Sequence, residues 1–391
     1  MTRGGLNDWN VWNPWQFKTD SLDLVVGRYG SVVDSTSKRR ENKAMASILY
    51  LGTDEGVLTL KSEDGRSWKI EHHGLKDWQV PEVAVSPAAP NKVFAGTRGD
   101  GVWLSEDFGA TWSKPCYGRR GPGKVRCLTI DPRDPDTIYA GTEPIDVFIS
   151  RDAAKSWKRL DSVWNIPWVQ TINYPVAAVE PHVRDITLDP KDPKTMYVAL
   201  QVGYMLKTIN GGDSWELLNK GLDADVHTIV LNPENPNQIF IATGGHDARK
   251  GVAKGRALYS SADGGQTWQP MAAEFREEYS IPLAIHPKNS NVLYSAVANG
   301  QPGQWRGRPS GAEALVIQST DGGKTWKKLE GEVSKANQSF VEAIAFDPAN
   351  PDHMYAAQQN GDIFGSENSG TSWFKLNVKT PHVSDMKAAH A

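Results

Sequence analysis

Arg126, Arg184, His227 and Glu342 stand at equivalent points of four separate strand-like segments, each five residues ahead of a turn that contains proline. Pro81 and Ile281 hold the same point in two more segments, and Ser384 joins them if residues 381–388 supply another. Two residues earlier come Lys124, His182, Asp225, Tyr279, Phe340 and His382. If these segments share one axis, two arginines, up to three histidines and a glutamate face a common hollow. Arginine offers a planar fork to a carboxylate or phosphate, while histidine and glutamate exchange protons near neutral pH once their surroundings tune them. The set therefore suits a small anionic ligand and acid–base work on it, with His227, Glu342 and His182 as the proton-exchanging groups and Arg126, Arg184, Tyr279 and His382 as binding groups. The plainer alternative is a ring of solvated strand ends, with Arg126 and Arg184 paired to Glu342 and Asp225. His182, His227, His382 and His246 from different segments also make a set of the kind a divalent metal would use. No short ligand spacing supports a metal, so no cofactor is expected.

The elements that must position these residues are repeats. Ser319-Thr320-Asp321-Gly322-Gly323-Lys324-Thr325-Trp326 has close copies along the chain, closing on Trp68, Trp112, Trp157, Trp215, Trp268 and Trp373. Steps of 44, 45, 58, 53, 58 and 47 residues between those tryptophans give seven units, a period typical of propellers. Asp or Asn in each copy accepts backbone N–H groups a residue or two further on, and Gly supplies positive φ, so the octet is a hairpin turn. An Asp required in every unit to make a turn is poorly placed for unique chemistry. Each unit has four strand-like runs, as in Arg126–Asp131, Thr137–Thr142, Val147–Ser150 and Trp157–Leu160. A second turn recurs between the first two runs: Asp131-Pro132, Asp189-Pro190, Asn232-Pro233, His286-Pro287, Asp347-Pro348 and the degenerate Ser86-Pro87.

In an up-and-down four-stranded sheet both recurring turns fall on one side. The long insertions, residues 161–181, 244–256 and 299–314, all fall on the other, which marks that side as the binding face. The second insertion brings His246, Arg249, Lys250, Lys254 and Arg256, and the third brings Trp305, Arg306 and Arg308. His246, Trp305 and Arg306 are read as a lid over the anion, with Trp305 covering it. The expected fold is all-β, a seven-bladed β-propeller of four-stranded antiparallel blades, residues 47–391, with residues 1–46 as an N-terminal arm. Pro381-His382-Val383-Ser384-Asp385-Met386 repeats the pattern of Pro181-His182-Val183-Arg184-Asp185-Ile186, so residues 381–391 are expected to complete blade one.

The octet Ser/Thr-x-Asp-x-Gly-x-Thr-Trp resembles the Asp-box, or bacterial neuraminidase repeat, of sialidases, sortilin ectodomains, xyloglucan-cleaving enzymes and photosystem II assembly factors. The resemblance covers about residues 47–376 and implies the propeller fold; its activities are diverse, so it implies no single function. A true sialidase is not expected, because no Phe/Tyr-Arg-Ile-Pro signature precedes the first box and Arg28 is a poor third arginine for its carboxylate clamp.

With 43 Lys and Arg against 46 Asp and Glu, the net charge of −3 supplies no global field for nucleic acid or an anionic membrane. Charge recognition must be local. Cys116 and Cys127 do not make a disulfide framework, though one bridge between them is an open alternative. No run of about 18 apolar residues occurs, and a soluble cytoplasmic protein is expected. No P-loop, nucleophile elbow or zinc-spaced Cys pair is present. The leading expectation is a hydrolase or lyase acting on a small anionic or sugar-derived substrate. The alternative is a non-catalytic scaffold or assembly factor that binds a protein partner on the insertion-rich face.

Overall fold

The computed structural model describes residues 46–117, 121–173, 179–252, 256–305, 307–335 and 339–391. The expected N-terminal arm thus lies outside the described residues, apart from Ala46. The chain forms seven antiparallel sheets, the blades of a β-propeller. Six carry four strands; blade two pairs Glu82–Ser86, Ala89–Thr97 and Gly101–Ser105, with Ser113 bridging to Leu104 in place of a longer outer strand.

Blade one is closed by a strand from the far end of the sequence. Val383–His390 pairs with Ser47–Thr53, which continues into Gly56–Ser62 and Lys69–Gly74. The inner strands of the other blades are Glu82–Ser86, Val125–Asp131, Val183–Leu188, Val226–Leu231, Tyr279–His286 and Val341–Phe346.

Both recurring turns are fixed by side chains bonding backbone. In the tryptophan hairpins the carboxylate reaches further than a residue or two: Asp107 Oδ1 accepts the N–H of Thr111 at 2.9 Å while Ser105 Oγ takes that of Gly109 at 2.8 Å. The same arrangement recurs at Asp263 and Asp321. Those hydrogen bonds, led by the one from the threonine hydroxyl, hold Asp107, Asp263 and Asp321 down to about 2. Blade one differs, with Asp64 Oδ1 taking the N–H of Arg66 at 2.8 Å. In the proline turns Asp131, Asp189, Asn232 and Asp347 accept the N–H two residues on, and His286 does the same through Nδ1 at 3.2 Å from Lys288 N.

The second strands are buried almost throughout: Met196–Leu200, Ile239–Thr243 and Met354–Gln358 have no exposed residue. Their apolar side chains pack between neighbouring blades, with Trp215, Trp268, Trp326 and Trp373 inserted at the periphery. Full burial of one such aliphatic side chain contributes about 1.5–3 kcal/mol. Cys116 and Cys127 are unbridged thiols. Among the described residues, no helix is long and apolar enough to cross a membrane.

Candidate active site

What aims side chains into the central channel is a β-bulge repeated around it. The pairing of inner with second strand skips one residue at Arg126, Arg184, His227, Glu342 and Ser384, and two at Ile281 and Pro282. A bulged residue is unpaired in the ladder and its side chain is re-aimed. These residues owe their position to that device, whereas Pro81 of blade two precedes its strand; all of them, Pro81 included, line one cavity of about 1040 Å³. A second ring backs the first: in six blades the residue following the second strand donates its N–H to the carbonyl two residues before the mouth position. Examples are Glu143 to Lys124 at 3.0 Å, Gln201 to His182 at 2.9 Å, Gly244 to Asp225 at 2.7 Å and Gln359 to Phe340 at 2.9 Å.

The mouth is polarised. On blades two to four, Arg98 and Arg126 both reach the buried Glu143, at 3.4 and 3.3 Å, and Lys124 stands 3.8 Å from it. Arg184 also lines the cavity, yet it makes no ion pair among the described residues, and its buried Nε has no hydrogen-bond partner there. An unpartnered buried donor of a charged group is costly unless a ligand completes it. The pairing of Arg126 and Arg184 with Glu342 and Asp225, the plainer alternative, is not among the ion pairs of the described residues. Glu143 takes Arg126 because it sits beside it after the second strand of the same blade.

His182 does not serve as an acid–base group in this arrangement. Its Nδ1 donates to the Glu180 carbonyl at 2.9 Å and its Nε2 faces Arg126 Nη2 at 2.9 Å. Burial, reinforced by Arg126 and Arg184, pushes it down to about 2, so it is a neutral acceptor that orients Arg126.

His227 has different company. Its Nδ1 donates to the Ser280 carbonyl at 2.7 Å, and Nε2 lies 3.4 Å from Asp225 Oδ1. Gln201 Nε2 holds the same carboxylate oxygen at 2.6 Å. Burial alone would raise the Asp225 carboxyl, but His227, with Arg184 behind it, outweighs burial and holds it at about 2. Tyr279 meets the His227 ring edge-on at 5.3 Å.

On blades seven and one the mouth is acidic. Gln359 donates to Glu342 Oε1. His382 stands between carboxylates, Nδ1 3.0 Å from Asp54 Oδ2 and Nε2 3.9 Å from Glu342 Oε1. Glu342 foremost, with Asp54, raises His382 to about 8. Deeper in, Lys387 Nζ bridges Glu82 and Asp385 at 2.9 and 2.6 Å.

Arg126, Arg184, His227, Tyr279, Glu342 and His382 thus share one cavity, whereas the lid residues His246 and Trp305 do not line it. Trp305 is 6% exposed, stacked edge-on to Tyr279 at 5.2 Å with its N–H on the Asn299 carbonyl, so it buttresses Tyr279 instead of covering a ligand. His246 Nε2 lies 2.6 Å from Lys250 Nζ, and its backbone N–H is capped by Asp223. Arg249 and Arg308 spend donors on the carbonyls of Gly244 and Asn299. Arg306 and Lys254 lie outside the described residues. Among the described residues no group of three or more His, Cys, Asp and Glu could hold a metal ion. Missed in the sequence were Arg98, Glu143 and Gln201. Their signal is positional, since each directly follows a second strand.

No protein-family model matches the chain. It is similar to a xyloglucanase of Hypocrea jecorina, 26% identical over 161 residues that span 38% of this chain and 17% of that protein. It is also similar to an oligoxyloglucan-reducing end-specific xyloglucanase of Emericella nidulans, 23% identical over 207 residues, 49% of this chain and 23% of that protein. The chain therefore matches less than a quarter of the length of either. Among solved structures, an ancestral GH74 enzyme aligns with TM-score 0.53 at 14% identity, covering 87% of this chain and 39% of that one. YCF48 from Cyanidioschyzon merolae aligns with TM-score 0.50 at 14% identity, covering 75% and 84%. At these identities the structural likeness is one of fold alone, that of a β-propeller.

Proposed function

We propose that this chain is a carbohydrate-active enzyme, a hydrolase that receives the acidic end of a sugar substrate at the channel mouth. The observation that carries this reading is Arg184, a guanidinium on the cavity wall with a buried, unpartnered Nε and no ion pair among the described residues. Arg98 and Arg126 extend the cationic wall on which a sugar carboxylate would lie. His227, its Nδ1 proton held by the Ser280 carbonyl, takes a proton from water on Nε2, and Asp225 beside that nitrogen balances the charge of the imidazolium so formed. The pair Glu342 and His382, the latter raised to about 8, is the proton source for the leaving oxygen. In that step the oxygen of water bonds to the sugar carbon as water gives a proton to His227, the bond to the leaving oxygen breaks, and His382 gives that oxygen a proton. The similarity to xyloglucanases favours a sugar over other anions.

The test is digestion of two oligosaccharide sets, neutral xyloglucan fragments and uronate-containing oligomers, with product analysis. Saturated products from the acidic set alone are expected, and Arg184→Ala with His227→Ala should stay folded and lose turnover by at least about a hundredfold. Cleavage of the neutral set alone, or an unaffected double variant, overturns the reading. Unsaturated products would replace hydrolysis by elimination. Absence of turnover with tight peptide capture on this face would favour a scaffold.

A further inference from the structure

Resting on that reading, we infer that Trp168 is a second sugar-binding position outside the channel mouth, taking the ring face of the next residue of an oligosaccharide. Trp168 belongs to the insertion between blades three and four, on the same side as the mouth. It keeps 38% of its surface open, one of few large apolar side chains among the described residues to do so. It is nevertheless fixed. Its Nε1 donates to the Gly203 carbonyl at 3.1 Å, and its ring lies 5.6 Å from that of Tyr204 at 43°. Val169 is buried beside it, and Ile172 packs so closely that a Cβ on Gly203 would come within 2.6 Å of Ile172 Cδ1.

The turn that holds Trp168 also reaches the acid–base pair. Gln201 Nε2 bonds Asp225 Oδ1 at 2.6 Å, and two residues later Gly203 holds the Trp168 N–H. At about 3.8 Å per residue that spacing is roughly 8 Å along the chain. Val202 and Tyr204 adopt φ of 53° and 63°, and Tyr204 is kept there by its N–H on the Ala224 carbonyl at 2.9 Å and its hydroxyl on Asp247 Oδ2 at 3.3 Å. Left-handed backbone at non-glycine residues needs such support.

A pyranose ring has an apolar C–H face and a polar rim, so it matches a flat, rigid aromatic flanked by hydrogen-bonding groups. A protein partner would instead need a contiguous apolar patch of several hundred Å². The lone, hydrogen-bonded Trp168 fits the sugar.

The experiment is calorimetric titration with galacturonic acid and tetragalacturonate, and in parallel with a neutral xyloglucan monomer unit and its dimer. The proteins are wild type, Trp168→Ala, Trp168→Phe and, as control, Tyr117→Ala, which removes a 79% exposed aromatic elsewhere on the surface. In whichever series binds, Trp168→Ala should weaken the longer ligand by about tenfold and leave the shorter one unchanged. Trp168→Phe should keep most of the gain and Tyr117→Ala all of it. Equal binding of the longer ligand by wild type and Trp168→Ala, no chain-length dependence in either wild-type series, or equal losses for short and long ligands would each overturn the inference. Chain-length dependence through Trp168 with only the neutral series would keep it while removing the acidic-substrate reading.

Discussion

His390 Nε2 lies 2.7 Å from Asp347 Oδ1, so the strand that completes blade one is tied to the proline turn of blade seven. The same strand buries Val383, Met386 and Ala389 and sends Lys387 to Glu82 of blade two. Burial of Val383 and Met386 contributes roughly 1.5–3 kcal/mol each, before the exposed edge left on Ser47–Thr53 is counted. Deletion of residues 381–391 should therefore abolish soluble expression or cooperative unfolding. A melting curve equal to that of the full chain would show that the sheet does not need this strand.

The closing strand also carries a pH-dependent contact. His382 has a folded value of about 8, above its free value of about 6.5, because Glu342 and Asp54 favour the imidazolium. The folded state therefore binds this proton more tightly than the unfolded one. The stabilisation is complete below about pH 6.5 and disappears as pH rises through about 8. Melting temperature should decline across that window in wild type and stay flatter in His382→Gln; parallel profiles would exclude the contact.

The number of blades was legible because each Trp hairpin is local: Asp107 bonds Thr111 four residues away, whatever the rest of the chain does. The mouth positions were legible in register, since each precedes its turn by a fixed count. Partner choice was not. Arg126 lies 17 residues from Glu143 and 56 from His182, and only pairing across strands and blades brings the three together. The bulges at Arg126, Arg184 and His227 leave no single residue-type signature, because the skipped residue is Arg in two blades and His, Glu, Ser or an Ile-Pro pair in others. Trp305 illustrates the opposite failure: a Gly-rich cationic insertion suggested a lid, yet the indole found an apolar site against Tyr279 and Phe340.

The tryptophans of two hairpins permit a controlled comparison. Trp326 and Trp268 are 5% and 4% exposed, but Trp326 Nε1 donates to the Gly323 carbonyl at 3.1 Å, whereas Trp268 Nε1 is buried without a partner among the described residues. Phenylalanine removes similar apolar surface from both. It also deprives Gly323 of a bond in one case and relieves an orphaned donor in the other. Trp326→Phe should cost about 1–2 kcal/mol more than Trp268→Phe in denaturant unfolding. Equal costs would mean that the Trp268 N–H is satisfied in solution.

The backbone of Gly244 packs against the pair Asp225 and His227. A Cβ there would stand 2.0 Å from Asp225 Oδ2 and 2.8 Å from His227 Cε1. Asp225 cannot yield freely, because Oδ1 is held by Gln201 and its carbonyl accepts the Gly244 N–H. Gly244→Ala should therefore displace the carboxylate from His227 and lower turnover by roughly tenfold to a hundredfold, the usual cost of a misplacement near 1 Å. Gly303→Ala, in the next insertion, meets nothing within 4 Å and serves as control. Full activity in Gly244→Ala, with a fold intact by circular dichroism, would remove His227 and Asp225 from the working site and leave Glu342 and His382 to carry the proton transfers alone.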